Sequence, residues 1–184
     1  IRSYTRVPVT LTPISQYPLD ASSASNVGED TVYTSFDALL PRRSGLADAQ
    51  DWHYCLIDLD SDGQDEFFLS HKDWNGLLAM KDGQVKLLEC GRNISIFQGG
   101  FAYTRQYLDG NSATGFYRVE HGDAILVDYL RYDTGISAEN PWFYSPDGQD
   151  DTLRPIPQAE YEAIQAKYAP IELDMRADLV YSGE

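Results

Sequence analysis

The chain has 184 residues, enough for one domain, or one domain with a tail, to bury a core without a disulfide or metal framework. Acidic residues outnumber basic ones 29 to 14, and the resulting charge of −15 repels phosphate backbones and anionic lipid. Nucleic acid and membrane surfaces are therefore not the expected partners, and no apolar run approaches the roughly 20 residues that span a bilayer.

Residues 1–29 read as an extended arm or tether. Pro8, Pro13 and Pro18 interrupt them, and the small polar run from Ala21 to Asn26 has no hydrophobic period. An edge strand over 6–11 is the alternative for that short piece. Starting at Ile1 rather than Met reads as a mature or trimmed form and leaves export open. A short helix is expected over 30–40, where Val32, Phe36, Leu39 and Leu40 fall on one side before Pro41.

Strand signals begin after Trp52. Apolar runs at 54–58 and 66–70 flank an acidic loop, and runs at 76–81 and 84–89 flank Asp82-Gly83, a two-residue hairpin signal. Runs at 93–97, 101–108, 115–120 and 124–132 follow, separated by Gly99-Gly100, Asp109-Gly110 and His121-Gly122-Asp123. The segment 137–157, with Pro141, Pro146, Gly148 and Pro155, is expected to be irregular. A second helix is expected over 157–168, with Tyr161, Ile164 and Tyr168 on one face. The predicted fold is α+β: an antiparallel β-meander of about eight strands with a short N-terminal helix and a C-terminal helix, residues 30–184 forming one domain.

The acidic loop carries the chemistry. Calcium takes six to eight oxygens at about 2.3–2.6 Å. Asp58, Asp60 and Asp62 stand at alternate positions of a tight turn, Gly63 permits the turn, the Gln64 carbonyl follows, and Glu66 closes the set. Like carboxylates 4 Å apart repel by roughly 4 kcal/mol at an effective dielectric of 20, a conflict that a divalent cation removes. Magnesium suits such an oxygen-rich, flexible set less well. Position 12, where a helix–loop–helix site carries a bidentate Glu, is Leu69 inside an apolar strand. The expected site is strand–loop–strand; an ion-free acidic turn is the alternative.

The run from Tyr54 to Leu69 resembles the calcium loop of FG-GAP/VCBS-type repeats. It is most similar to the single-copy version in secreted or lipid-anchored proteins of Gram-positive, often gut-dwelling bacteria. Such proteins place a helix before the loop, a β-meander after it and a Tyr-containing helix near the C-terminus, an outline that 30–168 follows. The resemblance implies an extracytoplasmic location and a calcium cofactor, and no particular reaction. Ser61 stands where Gly is frequent, and a single loop argues against a propeller built from such repeats.

Other chemistry is thinly represented. His53, His71 and His121 have no zinc spacing, and no nucleophile elbow or phosphate loop occurs. Asp147, Asp150 and Asp151 read as a solvated turn. Cys55 and Cys90 read either as two buried thiols or as a disulfide closing about 35 residues. Trp142, Phe143 and Tyr144 are candidate ligand-binding aromatics in the punctuated loop. The expected function is a calcium-binding, non-enzymatic surface domain whose partner is a glycan or a cell-surface protein. The alternatives are a glycan-binding module using those aromatics, or a hydrolase whose carboxylates the sequence does not single out.

Overall fold

The computed structural model describes residues 52–72 and 74–176. The predicted arm (1–29) and the helix at 30–40 lie outside the described residues. Within them the fold is mostly β, with ten strands and one helix. The expected α+β class is thereby corrected. The strands form two separate antiparallel sheets of four and six, not one meander of about eight.

The first sheet has the order β1-β2-β3-β4, with β1 Trp52–Ile57, β2 Glu66–His71, β3 Trp74–Lys81 and β4 Gln84–Gly91. Its central strands are buried on both faces, as Phe67, Phe68 and Leu69 in β2 and Leu77, Leu78 and Ala79 in β3 are all in the core. This explains why they read as continuous apolar runs rather than alternating ones. The β3–β4 turn is Asp82-Gly83, both at positive φ (52° and 71°) as a primed hairpin turn requires.

The second sheet has the order β10-β9-β8-β7-β6-β5. Its strands are β5 Ile94–Phe97, β6 Gly100–Gln106, β7 Ser112–Glu120, β8 Asp123–Tyr132, β9 Trp142–Ser145 and β10 Arg154–Pro155. Strands β9 and β10 fall in the stretch expected to be irregular. Pro155 is accommodated because β10 is the edge strand, where a missing N–H breaks no central ladder. The helix, α1 (Gln158–Lys167), matches the expected one and buries Tyr161 and Ile164. These pack with Phe97, Ala102, Phe116, Leu130 and Ile156 on one face of this sheet.

The described residues divide into two compact units. One comprises 52–58, Asp62–Cys90 and 174–176; the other comprises Leu59–Ser61 and Gly91–Leu173. No helix among the described residues is long and apolar enough to cross a membrane.

Candidate metal site in the β1–β2 loop

The loop begins where β1 ends and closes where Glu66 pairs with Ile57 in the β1–β2 ladder. Two residues in it hold the left-handed conformation, Ser61 (φ 62°) and Gly63 (φ 88°). Gly63 does so without strain, whereas Ser61 does so at a cost that explains why glycine suits that position.

The turn is held by main-chain donors aimed at its carboxylates. Gly63 N–H donates to Asp58 Oδ2 (3.1 Å), and Gln64 N–H donates to Asp62 Oδ1 (2.7 Å). The His121 N–H, in the β7–β8 turn, donates to Asp60 Oδ2 (2.5 Å). Asp58 Oδ1, by contrast, is buried and has no hydrogen-bond partner among the described residues. A carboxylate oxygen withdrawn from water without a partner is costly, and a cation is one group that could satisfy it.

Within this one segment, Asp58, Asp60 and the 2 %-exposed Glu66 each bring a carboxylate oxygen to within 4.8 Å of the others. Oxygens about 2.4 Å from a common ion lie up to about 5 Å apart, so this spacing can hold a metal ion. The residues present thus fit a hard divalent cation. Asp62 and Gln64 are exposed at the mouth of the turn, and the Gln64 side-chain amide reaches back to Asp62 Oδ2 (3.4 Å). Leu69 is fully buried, as expected of a strand residue and not a ligand.

His121 matters here through its main chain, held at φ 48° in the β7–β8 turn. Sequence reasoning weighed only its imidazole, and a backbone donor contributed by a distant hairpin leaves no trace in residue type.

The remaining candidates are placed as follows. Trp142, Phe143 and Tyr144 form β9, so strand alternation sends Phe143 to one face, where it is 5 % exposed, and its neighbours to the other. The Trp142 ring lies between Tyr132 and Tyr161, at 4.8 and 4.9 Å. The Tyr144 hydroxyl donates to the buried Asp128 (2.8 Å), to which the Tyr168 hydroxyl also donates. Burial, followed by these bonds to Asp128, pushes both phenols above their ordinary range. That is the wrong direction for a nucleophile.

Asp147 accepts from Gln149 N–H (3.1 Å) and from the hydroxyls of Ser145 and Thr152, so it closes its own turn. Its carboxyl is held below the usual range, first by Thr152, then by the Gln149 N–H and Ser145. Cys55 in β1 and Cys90 in β4 are free thiols at opposite edges of the first sheet. Three strand spacings of about 4.8 Å separate those edges, too far for a disulfide.

Comparison with protein families, characterised proteins and solved structures finds no match to this chain.

Proposed function

We propose that the 58–66 loop binds one calcium ion, and that the ion pins the β1–β2 hairpin of a non-enzymatic, extracytoplasmic domain with a binding role at the bacterial surface. The observation that carries the reading is the orphaned Asp58 Oδ1 beside the converging carboxylates of Asp60 and Glu66. Asp58, Asp60 and Glu66 supply the inner oxygens; Asp62 and the Gln64 carbonyl complete the shell from the exposed side. The bound ion supplies charge neutralisation, and the loop supplies shape. Gly63 and Gln64 orient two carboxylates through main-chain hydrogen bonds that need no ion.

An exposed loop of this kind suits the dissociation constants of about 10⁻⁴–10⁻³ M found in extracellular calcium modules. Millimolar calcium outside the cell keeps such a site filled, which supports an extracytoplasmic location, secreted or lipid-anchored. Isothermal titration of the full chain tests the reading. Calcium is expected to bind at one site, more tightly than magnesium, and Asp60→Asn to weaken it at least tenfold. Absence of calcium heat, or equal binding by the variant, contradicts it.

A further inference from the structure

Asp128 is a buried charge, 9 % exposed, that calcium binding leaves without a task. It stands in β8 opposite Phe116, where the β7–β8 register breaks between Phe116 and Tyr117 and leaves Val127 as the extra residue. A bulge of this kind re-aims the side chain beside it. Both carboxylate oxygens are taken by phenols that pack with the α1 cluster. The Tyr144 hydroxyl donates to Oδ1 (2.8 Å) and the Tyr168 hydroxyl to Oδ2.

Among the described residues no basic side chain pairs with Asp128. Arg154, which lies 5.0 Å over the Tyr144 ring, is ion-paired with Glu160 (3.0 Å) instead. A latch that only tied β8 to β9 and to the end of α1 would need no more than a neutral acceptor. A carboxylate buried without a cation is the costlier choice. What it adds is basicity, placed within bonding distance of two phenolic protons.

The Tyr168 ring is the better enclosed of the two. It is stacked on Phe116, with centroids 4.3 Å apart and planes 18° from parallel, and tilted against Phe97 at 4.8 Å. These phenyl faces leave little room for another phenol to couple with it. The residue is half-buried, so an electron can still leave it.

A phenol that loses an electron becomes a strong acid, and it is oxidised most readily where a base already stands at its proton. We infer that Tyr168 is a one-electron donor with Asp128 as its proton acceptor, and that the pair traps radical oxidants of the peroxyl class. One electron passes from Tyr168 to the peroxyl radical, which becomes a hydroperoxide anion. The Tyr168 O–H bond breaks, an O–H bond forms on Asp128 Oδ2, and Tyr144 keeps its bond to Oδ1. The product is a neutral tyrosyl radical held between Phe97 and Phe116.

The test is flash oxidation of the full chain by photogenerated tris(bipyridine)ruthenium(III), followed by absorbance and electron paramagnetic resonance. A long-lived tyrosyl radical is expected, formed more slowly in D2O than in water because a proton moves with the electron. Tyr168→Phe, which removes only a hydroxyl, should abolish the long-lived signal. Asp128→Asn should slow its formation at least tenfold, with the fold intact by circular dichroism. Tyr107→Phe, at an exposed tyrosine, should leave it unchanged. Peroxyl radicals from a thermal azo initiator should be consumed faster by the parent than by Tyr168→Phe. Full retention of the signal by Tyr168→Phe, an unchanged rate in Asp128→Asn, equal rates in water and D2O, equal peroxyl consumption, or dityrosine dimers as the main product would overturn the inference.

Discussion

Gly63 donates its backbone N–H to Asp58 Oδ2 across five residues (3.1 Å), and the second oxygen of the same carboxylate, Oδ1, is buried with no partner among the described residues. One half of Asp58 therefore shapes the turn, and the other half is the oxygen that the proposed calcium ion would take. Asp58→Asn keeps an oxygen for the Gly63 bond and removes the charge. Calcium affinity is expected to fall at least tenfold. In chelator the variant should melt at or slightly above the parent, because like-charge repulsion with Asp60 and Glu66 is relieved. Titration calorimetry and paired melts check both halves.

Ser61 holds φ 62°, a conformation that costs a residue with a β-carbon about 1–2 kcal/mol. Ser61→Gly removes this strain and returns part of it as unfolded-chain entropy. A net gain of about 0.5–1 kcal/mol is expected, or roughly 1–4 °C at this chain length. Thermal denaturation in chelator isolates the backbone effect from any change in ion binding.

Asp133 anchors the corner between β8 and β9. It accepts from Gly135 N–H (2.9 Å), Ile136 N–H (3.2 Å) and the Asn111 amide (3.3 Å), beside its ion pair with Arg131. Burial alone raises its pKa, but Arg131 and the two main-chain donors outweigh that and hold the carboxyl below the usual range. Its contribution is thus present above the unfolded value of about 3.9 and lost as pH falls through the lower folded value. Asp133→Ala should cost about 2–3 kcal/mol at neutral pH by orphaning those donors. It should also flatten the acid limb of a stability–pH curve below about pH 4.

The Cys55 thiol is pushed up to about 11, first by burial and then by Asp174, against a smaller opposing effect of Arg176. A neutral thiol favoured by the fold contributes stability fully below the unfolded pKa of about 8.5–9, and loses it as pH rises toward 11. Melting temperature should decline over that window, and Cys55→Val should decline less. Reductant should change neither curve, because no disulfide links Cys55 to Cys90.

The strands β1 to β8 were legible because each apolar run ends in turn chemistry that the structure uses. Asp82-Gly83 and His121-Gly122 are both at positive φ. The break between the two sheets was not legible. The pairing of β4 with β3 and of β5 with β6 is set by tertiary packing, and Gly91-Arg92-Asn93 looks like any other hairpin connection. Strand β9 was hidden for another reason: Trp142-Phe143-Tyr144 is uniformly aromatic, so its alternation between buried and half-buried does not show in residue type. At the acidic loop, the residue spacing named Asp58, Asp60, Asp62 and Glu66 together, whereas the structure brings Asp58, Asp60 and Glu66 into one group that Asp62 does not join. Nor could the spacing foretell that Asp60 takes a hydrogen bond from a turn 61 residues away.

The central claim is tested most directly by paired thermal denaturation of the full chain in 1–2 mM calcium, in the same concentration of magnesium, and in chelator. A site with a dissociation constant near 0.1 mM gains about 1.4 kcal/mol at tenfold excess ligand, or roughly 3–6 °C at this size. The account predicts that rise in calcium, a smaller one in magnesium, and its loss in Asp58→Asn. Coincident melting curves in all three conditions would contradict it.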